Sequence, residues 1–407
     1  MTNQFMSLLN ILKYSVFGKE TERIKEGEYE RIFELAVKQG VFPLVYPAVA
    51  RQFNQVPLKW EGLFLKTLAI NERKQYCLKN IIENLAKENI KCCVLKGCAV
   101  ANTYHMPECR ASGDIDLLIE QENEKAVINV LENMKMTINP RGKDKHHFEA
   151  HDKRGGLIEV HVKLYNKMFD DIVLKNKFNC SQSYMQVNVY GGLAVNTLGI
   201  EDGLNFLTAH LIKHFVKEGC GIRQITDLLA YINYYEKEIN MDKYFSVLSE
   251  LRFEKFIKNI LGIGVKYFDL EFKIYQTDMA DKILSDVEKG GNFGFGDDER
   301  QGFYENFLNR RSELDSKEFK KAIEKNRRLG ILKSVFLPQK GLLINKGYKY
   351  LEKSVLLYPI AYVHRLYDVF ILLINRKRNV SAFKYKEKSN STIDERVLMM
   401  KDIDIID

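Results

Sequence analysis

Two carboxylates, Asp114 and Asp116, have the types and spacing to hold a metal ion between them, and Glu159 is a third acid further along the chain. The first two open the run Asp114-Ile115-Asp116-Leu117-Leu118-Ile119, which is β-branched and apolar and follows a Ser112-Gly113 turn, so it reads as a strand. Residues two apart on a strand face the same side, about 7 Å apart at the backbone. Two bare carboxylates held that close repel each other by about 4 kcal/mol near contact at an effective dielectric of about 20. Such a pair asks for a cation. Oxygen ligands with few competing Cys or His favour Mg²⁺ or Mn²⁺. The chain carries its own control, because Asp402-Ile403-Asp404 repeats the tripeptide with no turn before it and no apolar strand after it. Asp-x-Asp alone therefore says little, and context gives the first copy its weight.

That context is Leu95-Lys96-Gly97 after an apolar strand, Arg110 and Ser112-Gly113 just before the acidic strand, and Glu159 in Ile158-Glu159-Val160-His161. With these residues the chain resembles the nucleotidyltransferase superfamily typified by DNA polymerase beta. More narrowly it is similar to a group of poorly characterised bacterial nucleotidyltransferase family proteins, and the resemblance continues into His210, His214, Arg223 and Asp227. It implies an α+β fold and transfer of a nucleotidyl group, AMP by default, from NTP to a hydroxyl acceptor. It also implies that Asp114 and Asp116 bridge two ions while Glu159 holds the one that activates the acceptor. Lys96, Gly97, Arg110, Ser112 and Gly113 would bind the nucleotide. The superfamily's Gly-Ser is Gly97-Cys98 here, which removes a hydroxyl contact to triphosphate and leaves Lys96 to supply charge in its place.

Each of these residues has a plainer reading. Arg110 could form a surface pair with Glu108, and Ser112-Gly113 could be an ordinary turn. His161 shares a strand face with Glu159, and either orients that carboxylate, contacts substrate or packs in the core. His210 and His214 are four apart on one helical face, as are Arg223 and Asp227 on the next helix; they face the cleft or form a helix-packing network. Seven of the eight histidines fall between His105 and His214. Yet His146 and His147 are adjacent, would point to opposite faces of a strand, and belong to no His-Glu-x-x-His helix, so no zinc site is expected.

Several elements must position these groups. Helical spacing runs through Phe5 to Val16, Ile32 to Ala48 and Leu63 to Leu85. Short strands begin at Cys92 to Leu95 and Ile115 to Ile119, separated by a helix starting near Cys98. A helix over Glu122 to Met134 follows, with Ala126, Val127, Val130, Leu131 and Met134 on one stripe. His147 to Ala150 and Leu157 to Leu164 form a hairpin around Gly155-Gly156, and Gln186 to Val195 another around Gly191-Gly192. Beyond Thr197 the pattern is helical, broken at Gly219-Cys220-Gly221; the loop Gly290 to Gly296 lacks phosphate-binding spacing. The expected organisation is an N-terminal helical segment (1–88), a nucleotidyltransferase core with a mixed sheet (89–197), a C-terminal helical domain (198–375) and a charged, partly disordered tail (376–407).

Composition bounds the rest. Hydrophobic content of 45% and charged content of 29% fit a globular protein. A net charge of +8 over 407 residues suits a polyanionic ligand such as a nucleotide but is too sparse for a dedicated nucleic-acid binder, so nucleic acid is possible as partner but not indicated. The basic region Arg310 to Lys333 lacks interleaved aromatics and reads as a solvated face. Seven cysteines without a Cys-x-x-Cys pair, and no signal peptide pattern, suggest a reducing, cytoplasmic setting. The apolar stretch Ser354 to Ile374 is too interrupted by polar residues to span a bilayer. Two rivals to a small-molecule transferase remain: a toxin- or antitoxin-type nucleotidyltransferase that modifies RNA or protein, and a catalytically silent nucleotide- or partner-binding scaffold.

Overall fold

A computed structural model describes residues 1–295, apart from 26, 54, 142–145, 154–155, 167–168, 179–182 and 293, together with 358–364 and 394–406. The basic region 310–333, most of the apolar stretch 354–374 and the tail up to 393 lie outside the described residues. Contacts divide the chain into Met1–Arg300 with Met399–Ile405, and the remainder. All that follows belongs to the first unit.

Seven strands form one mixed sheet in the order β3-β4-β5-β2-β1-β7-β6. They are β1 (Cys92–Val94), β2 (Asp114–Ile119), β3 (Thr137–Asn139), β4 (His147–His151), β5 (Leu157–His161), β6 (Tyr184–Val189) and β7 (Leu193–Leu198). The acidic strand β2 is the central one. Its alternation gives the sheet two different faces. Ile115, Leu117 and Ile119 point into an apolar layer with Leu78, Ile81 and Leu85 of the long helix α4 (Leu58–Lys87) and Val127, Val130 and Leu131 of α6 (Glu124–Asn133). Asp114, Asp116 and Leu118 take the other face. There Leu118 packs with Cys93, Leu95, Leu198 and Phe206 of α7 (Ile200–Lys217).

Both expected hairpins are present. β4 and β5 pair antiparallel from His147 opposite His161 to His151 opposite Leu157. β6 and β7 turn at Gly191 and Gly192, whose φ of 83° and 76° suits glycine. The expected helical run from Ile32 to Ala48 is broken by Gly40 at φ 69° into α2 (Tyr29–Lys38) and α3 (Phe42–Ala50). The helix expected from Cys98 is a single turn, α5 (Cys98–Ala101), and Gln121–Asn123 forms a 3₁₀ turn ahead of α6. α1 (Asn3–Phe17) precedes these, and α8 (Ile222–Tyr235), α9 (Met241–Glu250), α10 (Glu254–Phe268) and α11 (Ala280–Gly290) complete the α+β arrangement. Among the described residues no helix is long and apolar enough to cross a membrane.

Leu117 has no exposure and sits where α4, α6 and the sheet meet. Leu117→Ala is expected to lower unfolding free energy by about 2–5 kcal/mol in urea titration, through lost burial and an unfilled cavity.

Candidate active site

The parallel pairing of β2 with β5 sets the site. Asp116 is in register with Glu159 and Leu118 with His161, so two acids and an imidazole share one face of adjacent strands. His161 Nε2 lies 3.3 Å from Asp116 Oδ1 and 3.6 Å from Glu159 Oε2. Ligand atoms of Asp116, Glu159 and His161 all fall within 4.8 Å of one another. The Lys96 ammonium completes the group, 3.0 Å from Asp116 Oδ1 and 3.7 Å from Asp114 Oδ2. The cation that the two aspartates ask for is thus supplied, in this structure, by Lys96.

These contacts show in the pKa values. Burial works against the Lys96 charge, but Asp116 and Asp114 outweigh it and hold its pKa above the usual value. His161 is likewise penalised by burial and raised overall by its bonds to Asp116 and Glu159. The His161 bond holds Glu159 below the usual carboxylate range despite burial, with Lys96 assisting. Asp116 is 1% exposed, and both Lys96 and His161 lie against its Oδ1. Its Oδ2 is buried with no hydrogen-bond partner among the described residues.

Lys96 arrives from β1 through a turn that needs glycine. Leu95 N–H donates to the Asp116 carbonyl at 3.1 Å, and Gly97 then takes φ 69°, ψ −118°, a region closed to most side chains. Cys98 follows, its thiol pushed up to about 11 mainly by burial. On the other flank, Lys74 of α4 donates to the carbonyls of Ser112 and Gly113, the latter at 2.8 Å, and so fixes the turn into β2. Lys74 escaped the sequence reading because one lysine on a long helix carries no signal of its target. Lys74, Lys96, Gly97, Arg110, Ser112 and Asp114 line one cavity.

Arg110 departs from the surface-pair reading. Its guanidinium forms a buried two-pronged pair with Asp227, Nε to Oδ1 at 2.8 Å and Nη2 to Oδ2 at 2.7 Å, so Glu108 is not its partner. Tyr104 O–H adds a 2.7 Å bond to the same carboxylate. Burial would raise the Asp227 pKa, but Arg110 and these bonds lower it overall. Arg110 Nη1 is left without a partner among the described residues. The four helix residues therefore take different polar partners, although the His210 and His214 rings lie 4.5 Å apart. Asp227 holds Arg110, and Arg223 donates to the Ala111 carbonyl at 3.3 Å. His214 Nδ1 lies 3.5 Å from Glu218. His210 alone of the four lines a second cavity, shared with Lys96, Glu159, His161 and Lys213. Burial, then His214 and Lys96, push His210 well below its ordinary value.

The histidine reading also needs correcting. His146 lies in the bend before β4, so strand alternation does not separate it from His147, and the two rings are 4.7 Å apart. In the second Asp-x-Asp, Asp402 pairs with Lys282 and Asp404 with Lys255.

A central strand bearing Asp-x-Asp, a parallel neighbour bearing Glu and a glycine turn beside them form the arrangement of a nucleotidyltransferase. The chain belongs to a family of uncharacterised nucleotidyltransferases, whose match covers residues 25–269. No curated protein matches it.

Arg110→Ala would strand the Asp227 charge in the interior. It is expected to cost about 3–5 kcal/mol in chemical denaturation, far more than loss of an exposed pair.

Proposed function

We propose that this chain transfers a nucleotidyl group, AMP by default, from a nucleoside triphosphate to a hydroxyl acceptor, with Mg²⁺ or Mn²⁺ held by Asp114, Asp116 and Glu159. The observation that carries this reading is the Asp116 Oδ2 atom, a buried carboxylate oxygen without a partner among the described residues. A buried carboxylate oxygen left so is costly, and a dication would complete it. Glu159 fits the same role, since its lowered pKa keeps it ionised and ready to ligate. When bound, the ion would neutralise phosphate charge and lower the pKa of the acceptor hydroxyl.

The chain's own residues supply the rest. The cavity lined by Lys96, Gly97, Arg110, Ser112 and Asp114 is the side for the triphosphate. Lys96 and the unpaired Nη1 of Arg110 would offset charge building on the leaving group, while Lys74 keeps the Ser112-Gly113 turn in place. The acceptor oxygen bonds to the α-phosphorus as the bond to the bridging oxygen breaks, and pyrophosphate keeps the electron pair. Glu159 is a poor resting place for the hydroxyl proton, which passes to solvent. His161 and His210 face the second cavity, beside Glu159, where the acceptor would enter. His214, Arg223 and Asp227 act behind this surface as supports.

One observation favours the rival of a silent nucleotide-binding scaffold: the Lys96 ammonium already lies against both aspartates and offsets one of their two charges. Incubation of the protein with each labelled NTP, Mg²⁺ or Mn²⁺ and a cell extract separates the two. The expected result is a labelled product that falls about a hundred-fold or more with Asp114→Asn while the melting temperature holds. Its size tells a small molecule from RNA or protein. NTP binding without label transfer, under every metal and nucleotide, would establish the scaffold instead.

A further inference from the structure

We infer that His146, His147 and His161 form a second metal site, of imidazole type, for a borderline dication of the Zn²⁺ class. One ring nitrogen from each of these three residues lies within 4.8 Å of the other two. The His161 ring is 5.2 Å from each of the other two. The β4–β5 register builds this cluster: His147 pairs across the ladder with His161, placing both side chains on one face, and His146 joins from the bend before the strand. Nothing in nucleotidyl transfer by three carboxylates requires His146 or His147.

The second observation is the state of His161. Its side chain is 6% exposed, its Nε2 is against the Asp116 carboxylate at 3.3 Å, and its Nδ1 is buried with no partner among the described residues. A histidine that gives one ring N–H to a carboxylate and keeps the other nitrogen free of protein partners has the outer-sphere arrangement of a metal ligand. The ligand chemistry separates this site from the carboxylates, because imidazole selects Zn²⁺ and its neighbours in the first transition row while oxygen sets select Mg²⁺ and Mn²⁺. A bound ion would pin the start of β4 to the end of β5 and fix the ring that orients Asp116 and Glu159.

The test uses the full chain stripped with a chelator and read by metal binding alone, so that failure of the transferase reading leaves it unaffected. Zn²⁺ is titrated against a chromophoric chelator in millimolar Mg²⁺, and Co²⁺ is substituted for its visible spectrum. One Zn²⁺ per chain is expected, resistant to Mg²⁺, with Co²⁺ ligand-field bands of a nitrogen-rich site. His146→Ala and His147→Ala should each weaken Zn²⁺ binding about 10–100-fold, and Asp114→Asn should leave it unchanged. The Co²⁺ spectrum of the parent protein decides the matter even where a histidine variant folds poorly. Absence of stoichiometric Zn²⁺, displacement by Mg²⁺, an oxygen-only Co²⁺ spectrum, or loss on Asp114→Asn with the histidine variants intact would each overturn the site.

Discussion

The structure depends on holding one carboxylate, that of Asp116, almost fully buried at the centre of a seven-stranded sheet. Removing such a charge from water costs several kcal/mol, and its surroundings are arranged to offset that cost. Lys96 and His161 both approach Oδ1, from opposite strand neighbours, and Asp116 raises the pKa of each against the effect of burial. Gly97 exists to let Lys96 turn back onto β2, and the β2–β5 register brings Glu159 alongside. Replacing any one of these groups changes the electrostatics of the others. The cluster therefore acts as a unit, and single-residue effects within it are not additive.

A second buried pair ties this centre to the helices that follow the sheet. Arg110, four residues before Asp114, is gripped by Asp227 of α8, with Tyr104 closing the network. The loop into the acidic strand is thus held from outside the sheet, by a residue more than a hundred positions away. Arg223, one helical turn earlier, reinforces it through the Ala111 carbonyl. Binding chemistry built on such a loop inherits the rigidity of the helix pair. The family match ends at residue 269, just past α10, so it takes in the sheet and these supporting helices together.

Much of this was legible in the sequence because it is local. The alternation in Asp114 to Ile119, the glycine pairs of both hairpins and the 3.6-residue spacing of α4 and α6 are all statements about neighbours along the chain. That Asp114 and Asp116 share a strand face followed from period two and a turn, while Glu159 joined them through the family resemblance. What stayed hidden depends on pairing between distant segments. Nothing near Arg110 announces Asp227, and nothing near Lys74 announces the carbonyls of Ser112 and Gly113. The histidine cluster was misread for a boundary reason: period-two alternation was extended one residue too far, to His146, which precedes the strand. The three-residue edge strand β3 was too short to show any period at all.

The proposed metal–nucleotide centre rests on the Asp114, Asp116 and Glu159 carboxylates, with Lys96 against the two aspartates. Electron paramagnetic resonance of Mn²⁺, titrated into the protein with and without ATP, tests it most directly. ATP should sharply tighten Mn²⁺ binding to the protein, and Glu159→Gln should remove the effect. Mn²⁺ and ATP binding that are independent of each other, or coupling that survives Glu159→Gln unchanged, would contradict it.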